Sequence, residues 1–391
     1  MKTMYYYIAL VVLLLCSCEE QRIGPTSKSK GKPDVVTILR QESIPGGVKV
    51  VFRIPESEDI LSIKAVYTLS NGKKMEKTAS YFDNTLVLEG YADQEEHEVT
   101  LYVLNRALES SDPVTIKFTP LEAPFLQVRK TMVITPDFGG ARFTWANESK
   151  APLTFDFLAQ DSVGNLQPLR IMVSSSETMR FNLRGYEPKE RLFAAVVRDN
   201  WDNIADTIYQ SVVPILEEKM NKSEMKVMML NNDHRWNSWE GEDAYLIDDN
   251  LETIGHSPNN SIPAVFTLDL GRKVQLSRVV LFLRYIYETY YSHGNPRTFN
   301  LFGCFGTPSQ SGNWSEWTLL HENFEIIKPS GLPGREMADE DLLAGQSGFE
   351  FELNGLTDQP LRYLRFVLTS TWDNMSICHL SEVDVFGTYV E

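Results

Sequence analysis

Val265-Phe-Thr-Leu-Asp-Leu-Gly271, Asn295-Pro-Arg-Thr-Phe-Asn-Leu-Phe-Gly303, Arg362-Tyr-Leu-Arg-Phe-Val367 and Leu380-Ser-Glu-Val-Asp-Val-Phe-Gly387 share one habit. Apolar residues recur at every second position, the period at which side chains on a strand return to the same face. Phe266, Phe299 and Phe366 fall in phase with such strands, as does Phe351, which assigns them to a core. A fifth segment, Ala244-Tyr-Leu-Ile-Asp-Asp-Asn-Leu-Glu-Thr253, passes from a short apolar stretch into an oxygen-rich turn. The last third of the chain, residues 215–391, therefore reads as all-β.

The alternation continues upstream. Val48, Val50, Phe52 and Ile54 share one face of a strand, with Lys49 and Arg53 opposite. Ile63, Ala65, Tyr67 and Leu69 lead to Asn71-Gly72, a tight-turn signal, and Val99/Leu101/Val103 and Val114/Ile116/Phe118 complete the set. Gly46-Gly47-Val48-Lys49-Val50-Val51-Phe52 is echoed by Gly139-Gly140-Ala141-Arg142-Phe143-Thr144-Trp145, and Ser111-Asp112-Pro113-Val114 by Ala205-Asp206-Thr207-Ile208. Each pair lies about ninety residues apart, the length of one immunoglobulin- or fibronectin-type sandwich. Residues 33–120 and 121–214 are thus expected as two such β-sandwiches. In the second, Leu153/Phe155/Phe157, Leu169/Ile171/Val173 and Met179/Phe181/Leu183 alternate. Seams are expected at Pro120–Pro124 and around Pro214, with residues 215–230 as a helical connector.

The chain has 391 residues, 42% of them hydrophobic, enough for two to three packed domains. A net charge of −16 argues against nucleic acid, whose phosphates need clustered Lys and Arg. Residues 1–17 read as a signal peptide: Met1-Lys2, then an apolar run from Tyr5 to Leu15 too short to span a bilayer. Residues 18–32 read as a polar, flexible stalk. Beyond Cys16 and Cys18 only Cys304 and Cys378 remain, expected as buried free thiols, the alternative being a disulfide in an oxidising compartment. The six histidines show no His-Glu-x-x-His, and there is no Gly-x-Ser-x-Gly elbow or phosphate-binding loop, so no motif nominates an enzyme.

In order and spacing, the five C-terminal segments resemble the discoidin, or coagulation-factor 5/8 type C, family. That resemblance implies a galactose-binding-like β-jelly-roll that takes carbohydrate or another surface ligand through its rim loops. Leu15-Cys16-Ser17-Cys18 resembles a bacterial lipobox cut before Cys18, which would carry lipid; the alternative is an ordinary signal peptide with incidental cysteines. Glu19-Glu20 resembles the surface-export signal of Bacteroidetes lipoproteins. The whole order resembles Bacteroidetes surface lipoproteins with fibronectin-like modules before a discoidin-like domain. That implies a non-catalytic, outer-membrane, cell-surface glycan-binding protein beside the transporter of a starch-utilisation-type system. The alternatives are a structural, protein-interaction part of such a complex, or an accessory to a polysaccharide-degrading enzyme.

Two sites follow. Flat aromatic faces beside polar donors suit a sugar, and Trp236, Trp239, Tyr287, Tyr290, Tyr291, His293, Arg297, Trp372 and Asn374 are expected at one end of the C-terminal domain, the competing reading being that they plug that end. Asp248, Asn250 and Thr253 offer hard oxygens on a tight loop, the chemistry of calcium. The discoidin resemblance implies that the matching Asp and Thr, with a Glu that here is Glu382, hold a structural Ca2+. The alternative is a turn in which Asp248 caps backbone N–H groups. This chain departs from the family's Asp-Gly and Thr-x-Trp, having Asp248-Asp249 and Thr253-Ile254-Gly255.

Overall fold

The computed structural model describes residues 25, 27–353 and 359–390. Cys18 and the expected leader lie outside them. No helix among the described residues is long and apolar enough to cross a membrane. The architecture is all-β and multi-sheet, with α-helices at Pro124–Thr131 and Asp339–Ser347. By compactness it forms two units: one holds residues up to Thr135, Arg142–Phe181 and Arg191–Val212, the other Pro136–Ala141, Asn182–Glu190 and everything from Val213 on.

The first module stacks a three-stranded sheet, in the order Thr37–Ile44, Gly47–Arg53, Thr85–Glu89, against a four-stranded one, Lys74–Ser80, Ile60–Thr68, His97–Asn105, Val114–Phe118. Val48, Val50, Phe52, Ile63, Ala65, Val99, Leu101 and Val103 are fully buried between them. Part of the expected stalk lies along this module. Ser27 donates to Asp59 (3.0 Å), Ser29 to Glu109 (2.7 Å), and the Asn105 amide to the Gly31 carbonyl (3.1 Å).

The second module repeats the topology. Its three-stranded sheet orders Val133–Asp137, Gly140–Ala146, Thr178–Leu183, and its four-stranded sheet Leu166–Ser174, Leu153–Gln160, Arg191–Arg198, Ile208–Val212. The sequence echoes coincide with equivalent corners. Gly46 and Gly139 both turn left-handed (φ +67° and +65°), which glycine adopts without a Cβ penalty. The next glycine enters its strand so close to a neighbour that a Cβ would stand 2.1 Å from the Leu88 carbonyl oxygen at Gly47, and 1.8 Å from that of Leu183 at Gly140. Each corner also holds the first residues past its own module: Gly46 N–H donates to Leu121 and Gly139 N–H to Ile215, while Leu121 and Ile215 donate back to Ile44 and Asp137, all at 2.8–3.0 Å.

One reading is refined here and one fails. Leu169, Ile171 and Val173 alternate as read, but their face is turned to solvent (48%, 58% and 67% exposed). Leu166–Ser174 is an edge strand in which Met172 pairs opposite the buried Phe155, leaving Ile171 and Val173 across from Asp156 and Thr154 on the outer side. Residues 215–230 are not a helix but a strand Glu218–Lys219, a 3-10 turn Lys222–Glu224 and a strand Lys226–Met228. Their buried residues Met220, Met225 and Leu230 recur every five positions, which would scatter them around a helix. The two strands instead pair with Glu382–Tyr389 and Ala264–Phe282.

The C-terminal portion is built on an eight-stranded sheet. Its main path is Glu218–Lys219, Glu382–Tyr389, Ala264–Phe282, Leu361–Thr371, Pro296–Cys304, Thr318–Glu325. Phe266, Phe299, Phe351 and Phe366 pack in its core as their phase demands. Within it, Arg365 and Asp233 form a fully buried ion pair, Nη2 to Oδ1 2.6 Å. The guanidinium also donates to the Gly312 carbonyl and stands 4.2 Å from the ring centre of Trp314 and 5.4 Å from that of Trp317. Cys304 and Cys378 are free and buried, and burial pushes both thiols up.

Candidate functional site

The site grows from a two-residue ladder. Gly255–His256 pairs antiparallel with His379–Leu380, setting His256 opposite His379 with ring centres 5.8 Å apart. The loop after Ala264–Phe282 brings His293 against His379, stacked at 5.3 Å and 14°, with Nδ1 3.1 Å from His379 Nε2. Trp239 lies 6.3 Å from His256 and Tyr287 5.7 Å from His293. Five rings thus run in series: Trp239, His256, His379, His293, Tyr287. The inner histidines His256 and His379 are buried, whereas Trp239 is 79% and Tyr287 56% exposed.

Asn295, fully buried, pins the loop. Its amide donates to the carbonyls of Arg284 and Tyr290 (2.8 Å each), and its oxygen accepts from Arg284 N–H (3.1 Å). Asp373 accepts from His293 N–H (2.8 Å), and Trp372 N–H donates to the Asn295 carbonyl (3.0 Å). Arg335 lies 4.8 Å from the Tyr287 ring centre and 3.4 Å from Asp373. Trp239, Tyr287, Glu288, His293 and Asn374 all hold left-handed backbones, φ 52–62°. Such strain costs roughly 1–2 kcal/mol per residue, and its concentration in these loops fits functional loops held by their surroundings.

Burial, reinforced by Arg284, His293 and His256, lowers the His379 pKa to about 3. Burial also lowers His293, where Arg284, His256 and Arg335 add to it against the opposing pull of Asp373. Both are neutral at physiological pH, each ring offering one donor and one acceptor.

Of the nine residues expected on the ligand face, the structure withdraws two. Trp236 is fully buried, edge-on to Phe266 at 5.2 Å, with Gly255 packed against its indole and Nε1 donating to the Val265 carbonyl (3.3 Å). Tyr291 is also core; its hydroxyl donates to the Asp341 carbonyl (3.0 Å). Tyr290 is half-buried beneath Gly345. Trp239, Tyr287 and His293 belong to the ring series, and Asn374 follows Asp373 at its border. Arg297 stands 5.1 Å over Trp372 and pairs with Glu325 (3.1 Å), and both line a separate cavity of about 240 Å³ with Lys328 and Leu332. His256 and His379 were not expected here, because pairing of residues 255–256 with 379–380 leaves no local signal, and neither was Arg335; Asp373 lies between two residues that were, Trp372 and Asn374.

The expected calcium ligands do not fit an open metal cage. The Thr253 hydroxyl lies within hydrogen-bond distance of both Asp248 oxygens (2.9 and 3.0 Å) and of the Asn250 carbonyl (2.8 Å). Asp248 also caps Asn250 N–H (3.0 Å). Glu382 is buried, its Oε1 2.9 Å from Lys222 Nζ. Among the described residues, no group of three or more His, Cys, Asp or Glu could hold a metal ion.

Three family models match, each of a domain of unknown function: DUF4959 over residues 33–120, DUF5126 over 121–223 and DUF5000 over 243–387. No curated protein matches the chain. Among solved structures, the chain is similar to a SusE-like protein at 28% identity, covering 68% of this chain and 100% of that one, TM-score 0.45. A putative chitobiase fragment from Bacteroides thetaiotaomicron is 18% identical over 44% of this chain and 95% of its own, TM-score 0.31. A CBM32 module of a family 31 glycoside hydrolase from Clostridium perfringens is 11% identical over 43% of this chain and 96% of its own, TM-score 0.28.

Proposed function

We propose that this chain is a non-catalytic glycan-binding lipoprotein of the outer-membrane surface, capturing carbohydrate at the rim of a discoidin-like C-terminal jelly-roll for a starch-utilisation-type uptake system. The observation that carries the reading is the series of five rings with exposed Trp239 and Tyr287 at its ends. An exposed indole and phenol offer flat apolar surface to a sugar ring face, and their cost in water is explained by a ligand. Neutral His293, Asn374 and the Arg335–Asp373 pair supply donors and acceptors for hydroxyl groups. The two sandwich modules serve as a spacer from lipidated Cys18. The test is a glycan array with the full chain, followed by affinity electrophoresis on the preferred polysaccharide. Retention with a discrete sugar preference supports the reading, and uniform failure defeats it. Cys18→Ala is expected to release the protein from membranes.

A second reading, docking on a protein of the uptake complex, is favoured by the outer face of the second module, where Ile171, Val173 and Tyr209 are exposed. Ile171→Asp with Val173→Asp would then break co-purification with the transporter while leaving glycan retention intact.

A further inference from the structure

Four segments converge at the edge of the C-terminal sheet. The 3-10 turn Lys222–Glu224 and strand Glu218–Lys219 bring two lysines, the loop after Asp248 brings Asp249, and strand Glu382–Tyr389 brings Glu382 and Asp384. Lys222, its side chain 5% exposed, places Nζ 2.9 Å from Glu382 Oε1, 3.0 Å from Asp249 Oδ1 and 2.5 Å from Asp384 Oδ1. Lys219 adds ion pairs to Asp249 (2.7 Å) and Asp384 (2.9 Å). Glu382 accepts the backbone N–H of Val383 (3.0 Å), and Lys222, between Asp249 and Glu382, ties the Asp248–Thr253 loop to the final strand. This is the place at which the discoidin resemblance implies calcium.

We propose that the Lys222 ammonium is the resident cation of this site, standing where the resemblance implies a metal, so that the domain folds without calcium. Calcium takes six to eight oxygens at about 2.3–2.6 Å. Here the carboxylates already close on an ammonium, and an ion among them would stand against that like charge. The nearby Thr253 hydroxyl is spent on Asp248 and Asn250 rather than turned outward. Electrostatics agree with an internal cation. Hydrogen bonding to Lys219, then to Lys222, holds Asp249 below the usual carboxylate range against burial. Burial works to lower Lys219, but its bonds to Asp249 and Asp384 outweigh it and the pKa is raised. Glu382 is raised, since its burial exceeds the pull of Lys222. That buried acid depends on its one close cation.

The full chain, stripped of metal, is expected to melt at the same temperature with chelator and with millimolar calcium, and to give no heat on calcium titration. Lys222→Gln removes the ammonium and leaves the carboxylates. This variant is expected to melt several degrees lower in chelator and to recover on adding calcium, by mass-action stabilisation of the folded state. Calcium raising the wild-type melting temperature, or binding it stoichiometrically, would overturn the proposal. So would a Lys222→Gln chain that folds but ignores calcium. Should that variant not fold in chelator, the wild-type titration decides alone. None of these outcomes depends on glycan binding.

Discussion

His293 Nδ1 stands 3.1 Å from Nε2 of His379, and the two imidazoles are stacked 14° from parallel. One proton serves that contact, so at least one of the two rings must stay neutral to accept it; protonating both would set two donors and two positive charges face to face.

The first prediction is therefore a pH dependence. His379 titrates near 3 when folded and near 6.5 when unfolded. Between those values the unfolded chain binds more protons, so stability rises with pH and falls on acidification below about 6.5. His293, lowered too, acts with the same sign. The groups facing the pair are Arg284, His256 and Arg335 among the bases, with Asp373 beside His293 and Glu240 beside His256. Urea unfolding of the full chain should show a C-terminal transition weaker at pH 5 than at pH 7, by up to about 1.4 kcal/mol per pH unit from His379. His379→Asn should flatten that slope, and an unchanged slope would sink the assignment.

At the two ends of the ring series, Trp239→Ala and Tyr287→Ala should weaken glycan binding by about 1–3 kcal/mol each, by analogy with stacking on other aromatic platforms. Both rings are mostly in water, so melting temperature should hold. Trp236→Ala should do the reverse, lowering stability by about 3–5 kcal/mol through a core cavity. Equal retention on affinity gels by wild type and both rim variants would remove the site.

Gly47→Ala and Gly140→Ala should each destabilise their module by more than about 2 kcal/mol, because the new methyl meets a backbone carbonyl oxygen that cannot step aside. Gly72→Ala is the control: nothing stands near its Cβ position, and only its left-handed φ is strained. Chemical denaturation ranks the three, and a Gly72 variant as damaging as the others would contradict the steric account.

Asp233→Ala leaves the Arg365 guanidinium buried without its carboxylate, at an expected loss of about 3–5 kcal/mol. The double variant Asp233→Ala with Arg365→Met should recover much of that loss. Failure of the second change to rescue would show that packing against Trp314 and Trp317, rather than charge, holds the pair.

Strands were legible in the sequence wherever one face is buried, because alternation records burial directly: Val48, Val50 and Phe52 needed no structure. Leu169, Ile171 and Val173 show the limit. Their period is right, but period alone does not say which face meets the core, and the register that sets Ile171 and Val173 opposite Asp156 and Thr154 decided it. At the rim, Trp239 and Trp236 lie three residues apart in the same polar stretch, one in water and one in the core. The difference comes from Gly255 and Phe266, which are distant in sequence. The lysine opposite Glu382 was hidden in residues 215–230, which read as a helical connector but fold as two short strands around a 3-10 turn.

The glycine corners also dictate where the chain can be cut. Leu121 and Ile215 each follow the last strand of a module, yet their N–H and carbonyl groups close the Gly46 and Gly139 turns of the module before them. A fragment ending at Pro120 or Pro214 would leave those turns open, with their backbone partners exposed to water. Expression boundaries drawn a few residues further on, beyond Ala123 and Glu217, keep each turn closed and should give soluble fragments where shorter ones aggregate.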